Sequence, residues 1–536
     1  MPVYGIDLGT TYSCVARIDD TGSPVIIRNS LGEESTPSVV FFESPYQVVV
    51  GREAKNAAVA EAELVVSKIK REMGKRGVEL EFHGETFTPE AISALILRDV
   101  VKTASESSGR DVQNVVITVP AYFGLAERVA TRTAGVMAGL NVVNVVPEPV
   151  AAALYYGVLN AGVPKDVLVF DLGGGTFDTT VIRLSGQDVH VVCTDGDHEL
   201  GGADWDNKIA DYLCEQFMSQ FPDSRASEDE SFLQDLALSA EEVKKALTGR
   251  RSKQQPVVYR GLRTQVEITR DTLEQISAEL LDRALEITRA TMQAAAERGV
   301  ERFDEVLLVG GSTRMPMIAA ALTANFGFRP KMHEPDLAVA KGAALFGIVE
   351  SLRLCSQQGE LDSSARQSLA SELDVSIDTI DTMAAKTVTI VVPRAFGIKT
   401  LATDDDGNPK DCEYGPFYVT HLLLPNTQLP ASETKQFLTP YENQREINIE
   451  IWEQAGPRAS DNPEDNNQIG DVAITRLPPL PKGSKIDVTF NMDVNGALQI
   501  VAQEKMTGQT VTSTIQIGDL SDDEVSVARR TVARLS

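Results

Sequence analysis

The sequence is short of cysteine, of tryptophan and of positive charge. Five cysteines and two tryptophans are scattered over 536 residues, and no CxxC pair occurs. That excludes a disulfide framework and a zinc site of the usual spacing, and it fits a reducing compartment. Lys and Arg number 50 against 77 Asp and Glu, for a formal net charge of −27. Such a chain is ill suited to nucleic-acid backbones or anionic lipid, which recruit basic side chains; its charge serves solubility. No apolar run reaches the roughly eighteen residues of a membrane span. Residues 1–8 lack the basic start and apolar stretch of a signal peptide. A cytoplasmic protein with no nucleic-acid or membrane partner is expected. Two nucleotide signatures, GxxxxGK[ST] and GxGxxG, are also absent, which excludes a P-loop and a Rossmann dinucleotide site.

The length argues for at least two domains. Up to Val349, short apolar runs at 115–119 and 306–309 alternate with helical periodicity over 91–104 and 273–296, which argues for α/β layers. Residues 351–386 are polar and acidic and read as an interdomain linker with one short helix. From Thr387 onward TVTIVV, FYVTHLLL, INIEIWE, KIDVTFNM, ALQIVAQEK and TVTSTIQI alternate between turn residues, as in an all-β sandwich. The tail opens with a capping box, Ser521 with Glu524, and sets Val525, Ala528, Val532 and Leu535 on one helical face. The expected division is 1–350, 351–386, 387–518 and 519–536.

The stretch VFDLGGGTFD carries chemistry. Three glycines let the backbone approach another group closely and aim N–H groups at one anion. Asp171 and Asp178 beside a phosphate imply a cation between them, and Mg2+ takes carboxylate, water and phosphate oxygens. Thr176 can orient a water. YGIDLGTTY near the start repeats the design, with Asp7 standing where Asp171 stands, so two hairpins can clamp a polyphosphate between two lobes. LVGGSTR follows a third strand, and the planar guanidinium of Arg314 can stack on a base.

GIDLGTTYSCVA, TVPAYF, VFDLGGGTFD and LVGGSTRMP occur in the order and approximate spacing of the heat shock protein 70 family, which the chain resembles from Val3 to about Arg530. The resemblance implies an α/β actin-like two-lobed ATPase domain followed by an all-β sandwich that binds peptide, and a chaperone that hydrolyses ATP. It implies ATP or ADP with Mg2+, and K+ beside them. Asp7 and Asp171 would hold the metal through water. Gly9, Thr10, Thr11 and Tyr12 would form one phosphate loop, and Gly173, Gly174, Gly175 and Thr176 the other. Lys70 would position the attacking water, with Glu148 and Asp178 close by. Gly201, Gly202, Glu241, Lys244, Lys245, Thr248, Gly310, Gly311, Ser312, Arg314 and Asp336 would surround the adenosine. Pro120 and Arg128 would relay nucleotide state, and Ile398, Leu401, Phe437 and Ile447 would line the peptide pocket. Unfolded polypeptide, a J-domain cochaperone and a nucleotide exchange factor would be the partners.

Four departures from that pattern stand out. The loop after Leu401 is long and acidic. The acid-ended linker is replaced, with Ile390 where its acid would be. The chain stops at Ser536 where a helical lid would follow, so a lidless member with fast client exchange is expected. Lys341 and Ala203 replace typical residues. A nucleotide-gated scaffold that docks one folded partner is the alternative expectation.

Overall fold

The repeat of the two Asp-Leu-Gly hairpins extends to whole sheets. The computed structural model describes residues 2–159, 164–186, 188–358, 362–403, 415–456, 458–515 and 522–535. In the first lobe, strand Val3–Asp7 pairs antiparallel with Tyr12–Ile18, which pairs with Pro24–Ile27. On its other side Val3–Asp7 runs parallel to Asn114–Val119, and that strand runs parallel to Asn141–Pro147. The second lobe has the same plan. Lys165–Leu172 pairs antiparallel with Phe177–Ser185, which pairs with Asp188–Asp197; on the other side lie the parallel strands Glu305–Val309 and Lys331–Met332. The central strands are apolar nearly throughout, because helices cover both faces of each sheet. Val115, Val116, Ile117 and Val119 are fully buried, as are Val167, Leu168, Val169 and Phe170. Helices Glu148–Leu159 and Ala338–Gln358 pack together between the sheets. Each Asp-Leu-Gly hairpin therefore ends at the cleft between the lobes.

Residues 351–386 do not form a polar linker. Helix Ala338–Gln358 runs on into this region, and Ser363–Leu373 and Ile377–Ala384 follow as a helical pair. Asp362 and Ser376 cap the two helices by accepting the backbone N–H of Ala365 and Thr379, satisfying donors that a helix start leaves open. Leu369, Ala370, Leu373, Ile380 and Met383 are buried in the core that also holds Leu345 and Val167. Few apolar residues suffice because they recur at helical spacing, while the polar majority faces water. The start of TVTIVV is likewise not a sandwich strand: Thr387–Thr389 adds in parallel to the edge of the second lobe's sheet, beside Asp188–Asp197.

Beyond it stand two four-stranded sheets. One is ordered Phe417–Leu423, Phe396–Leu401, Ile447–Gln454, Asn466–Ile474, and the other Ala431–Leu438, Lys485–Met492, Leu498–Glu504, Thr510–Thr514. All their pairings are antiparallel. Ile447, Ile449 and Ile451 are buried while Asn448 is exposed, the alternation of a sheet with one face in the core. Most of the expected acidic loop, 404–414, lies outside the described residues. The terminal helix Asp522–Arg534 rests on the first lobe, with Val532 and Leu535 buried in that lobe's core. Arg98 donates to the Val532 carbonyl, and Arg534 donates to Glu85 Oε2 at 2.7 Å. The architecture is an actin-like two-lobed α/β domain followed by a β-sandwich. Among the described residues, no helix is long and apolar enough to cross a membrane.

Because the helical pair at 363–384 is core rather than tether, Leu373→Ala and Ile380→Ala should each destabilise the chain by about 2–5 kcal/mol. Urea unfolding measures this; a loss near zero would return the segment to the status of a linker.

Candidate functional site

Four glycine-bearing turns meet at the mouth of the cleft. The two hairpin loops are in direct contact: a side chain added at Gly174 would strike the Thr11 hydroxyl, and one at Gly175 would strike Thr10. Gly173 N–H donates to the Thr176 carbonyl at 3.0 Å, which closes the second hairpin. Gly202 and Ala203 donate to the carbonyls of Gly173 and Gly174 at 2.9 and 2.8 Å. A Cβ on Gly201 would lie 2.5–2.6 Å from the Gly175 backbone, so this turn can close on the phosphate loop only as glycine. Ser312 Oγ donates to the Gly173 carbonyl at 2.9 Å, and Gly310 N–H donates to the Pro335 carbonyl at 2.9 Å. Gly9 is held from behind by the Ser38 hydroxyl at 2.7 Å. The turns at Gly9–Tyr12, 173–176, 201–202 and 310–312 thus converge as the sequence implied.

Beneath the turns four carboxylates share a buried space with one ammonium. Asp171 and Asp178 stand directly opposite each other on paired strands. Asp7 accepts the Thr118 hydroxyl at 3.0 Å. Asp178 Oδ1 accepts the Tyr122 backbone N–H at 2.9 Å. Lys70 Nζ lies 2.6 Å from Glu148 Oε1, and both side chains are buried. Burial, reinforced by the Glu148 charge, pushes Asp7 up to about 7 and Asp178 up to about 8, and it drives Asp171 well above the ordinary carboxylate range. One lysine cannot neutralise this cluster.

Two buried polar atoms here have no partner, Asp171 Oδ2 and Thr11 Oγ1. One acceptor and one donor-acceptor left open at the meeting point of the loops fit a hydrated cation and a phosphate oxygen. Among the described residues no three His, Cys, Asp or Glu side chains are placed to hold a metal by themselves. Mg2+ does not require such a cage, since it keeps several waters and is held by one or two carboxylates together with phosphates. Asp7 and Asp171 fit that pattern.

On the nucleoside side Glu241 joins the lobes. It accepts the Tyr12 hydroxyl at 2.9 Å and pairs with Lys55 and with Lys245, the latter at 2.7 Å. Lys245 also donates to Tyr12 Oη at 2.8 Å. Burial works to raise Glu241, but Lys55 and Lys245 overcome it and draw its carboxyl down to about 2. Lys244 is turned to Asp206 and to the Gly202 carbonyl, both at 2.7 Å, and Thr248 donates to the Lys244 carbonyl. Arg314 Nε pairs with the Asp336 carboxylate at 2.9 Å, half-exposed and beside Gly311. Two contributors escaped sequence reasoning. Lys55, on the helix Arg52–Ala57, carries no local signal that sets it apart from a solvated charge. Arg71 donates to the Gly175 carbonyl at 2.9 Å and pairs with Asp204 at 2.6 Å, so it clamps the phosphate loop; its adjacency to Lys70 was its only signal.

Pro120 and Arg128 bracket the turn that carries Tyr122. The half-buried Arg128 guanidinium donates to the Phe123 carbonyl at 3.0 Å and the Ala121 carbonyl at 3.4 Å, while Phe123 N–H donates to the Pro120 carbonyl. The four expected pocket residues all lie in the sandwich. Ile398 and Ile447 are buried in its core, Phe437 packs against that core, and Leu401 is half-buried opposite Phe417.

Asp7 and Asp178 have folded-state values above those of free carboxylates, so their contribution to stability is present at low pH and is lost as pH rises through about 7 to 8. The chelated, ligand-free protein should therefore lose melting temperature between pH 6 and 9, and Mg2+ with nucleotide should remove much of that loss. Equal pH slopes with and without the ligands would show that the cluster does not receive the cation.

The family model described as Hsp70 protein matches residues 3–405 and 414–532, passing over only the middle of the acidic loop. Members of that family are chaperone-type ATPases that bind ATP or ADP with Mg2+, unfolded polypeptide and cochaperones. With the match running almost end to end over both lobes and the sandwich, the chain belongs to the Hsp70 family.

Proposed function

We propose that the chain hydrolyses ATP in the cleft between its lobes and uses the nucleotide state to govern polypeptide binding on its β-sandwich. The observation that carries this reading is the set of three buried carboxylates, Glu148, Asp171 and Asp178, with the half-buried Asp7 around Lys70, directly beneath the touching glycine loops. Mg2+ bound with the nucleotide supplies neutralisation of phosphate charge. The chain's own residues do the rest. Backbone N–H groups of 10–12 and 174–176 cradle the phosphates, and Tyr12, Glu241 and Lys55 close the nucleoside side. Lys70, held by Glu148, orients a water against the terminal phosphate and offsets developing negative charge. Thr176 directs a proton-bearing oxygen toward the same point, and Asp178, fixed by the Tyr122 N–H, accepts the water's proton.

A second reading, a nucleotide-gated scaffold that docks one partner, draws support from the sandwich. Ile398 and Ile447 are enclosed in its core rather than open to an extended peptide. Unfolded polypeptide, a J-domain stimulator and an exchange factor are the partners of the first reading, in a cytoplasmic setting.

Lys70→Ala should leave Mg2+–ATP affinity within about threefold yet slow single-turnover hydrolysis by about a hundredfold or more. Hydrolysis at an unchanged rate would remove Lys70 from the chemistry. To separate the two readings, anisotropy of labelled apolar peptides is measured with and without ATP. Binding that ATP releases supports the chaperone, and silence across a broad peptide set supports the scaffold.

A further inference from the structure

The turn at 120–124 faces two ways. Toward the cleft, Tyr122 N–H holds Asp178 Oδ1. Toward the sandwich, the Tyr122 hydroxyl donates to the Gly456 carbonyl at 3.1 Å and accepts from Gln454 Nε2 at 3.4 Å. Gln454 Nε2 also donates to the Gly456 carbonyl at 2.9 Å, and its Oε1 accepts the Ala395 N–H at 3.0 Å. One side chain of the sandwich thus organises the surface against which Tyr122 rests.

Next to Ala395 stands Arg394, whose side chain is only 5% exposed. Its guanidinium lies over the Tyr122 ring, 4.9 Å from the centroid, and donates to Glu127 Oε1 at 2.9 Å. Glu453, from the strand Ile447–Gln454, accepts the Leu125 N–H at 2.9 Å. These charges converge because position 124 is glycine: a Cβ there would strike Glu453 Oε1 and lie 2.8 Å from Arg394 Nη1. Leu125 is buried in the sandwich's apolar core, with Ala126 and Val129 packed against it, so Arg394 and Glu453 are shut off from water and Glu127 keeps only 17% of its side chain exposed. In such surroundings a formed ion pair is strong and a broken one costly. The seal is not perfect, since Arg394 Nε and Glu127 Oε2 are buried without partners. A contact with unpaired buried atoms gains little over its open form, which suits a device that releases.

We propose that Arg394, Glu127 and Glu453 form a buried ionic latch that docks the β-sandwich on the first lobe, and that Tyr122 and Gln454 are positioning residues that connect the latch to Asp178. The proposal rests on the reading of the cleft as a nucleotide site, but it does not require turnover.

The test uses hydrogen exchange of the full chain, followed by mass spectrometry, with no hydrolysis read. Arg394→Met should accelerate exchange across 121–128 by about a hundredfold, the scale of a broken buried pair. The distant strand Leu498–Glu504 should stay as slow as in the parent, which shows that the sandwich is folded. Arg394→Lys, which keeps the positive charge between Glu127 and Glu453, should hold protection to within about tenfold of the parent, a rescue that a merely space-filling role would not give. Mg2+–ADP or Mg2+–ATP should alter exchange at 447–456 in the parent, and Tyr122→Phe should abolish that effect while nucleotide still binds. Unchanged exchange at 121–128 in Arg394→Met overturns the latch. A nucleotide effect on 447–456 that survives Tyr122→Phe overturns the relay. Failure of the parent to bind any nucleotide would instead sink the functional reading of the cleft, and the Arg394→Met comparison would still decide the latch.

Discussion

Four carboxylates gathered around one buried lysine, three of them buried and Asp7 half-buried, are the constraint to which the ATPase domain is built. Asp7, Glu148, Asp171 and Asp178 come from four segments of the chain, and the repeated sheet plan brings them to one place. Solvent cannot screen them there, and like charges at short range raise one another's energy. Local devices hold the arrangement: the Lys70–Glu148 pair, the Thr118 hydroxyl on Asp7 and the Tyr122 N–H on Asp178. They leave a net negative space with an open oxygen on Asp171. A site of this kind is stabilised by what it binds, so ligand affinity and fold stability are one quantity seen from two sides. The contacts that cross between lobes at Tyr12, Glu241 and Lys55 close the far end of the same cleft.

The hairpins were legible in the sequence because their demands are local. A glycine that must let one backbone touch another, or an acid that ends an apolar strand, marks its own position, and both marks recur at YGIDLGTTY and VFDLGGGTFD. The convergence of 201–202 and 310–312 on those hairpins was legible only through resemblance, since nothing local in GGADWD says what lies across from it. Residues 351–386 misled because composition was weighed over spacing. Leu369, Leu373, Ile380 and Met383 are few, yet they recur at helical intervals, and a one-sided helix needs no more. The alternation in TVTIVV announced a strand but not its sheet. Period two fixes which face a side chain takes and is silent about which edge the strand joins. Lys55 and Arg71 were hidden for a related reason: a cation on a helix reads as solvated until its distant partner, Glu241 or the Gly175 carbonyl, is known.

Helix Leu125–Met137 shows how the parts become one machine. Its first turn supplies Leu125 to the sandwich core and Glu127 to Arg394. Arg128, one residue on, grips the turn that fixes Asp178. Its later residues Ala130, Ala134 and Met137 belong to the first lobe's core, which also takes in Val532 and Leu535 of the terminal helix. A close-packed helix moves as a body, because neighbours in a dense interior do not yield continuously. A displacement that suits the sandwich must therefore be accepted or refused by the nucleotide turn and by the terminal helix together. That shared element is where the geometry allows the state of the cleft to be felt by the sandwich. A short mechanical path, one helix turn long, thus joins the two working parts.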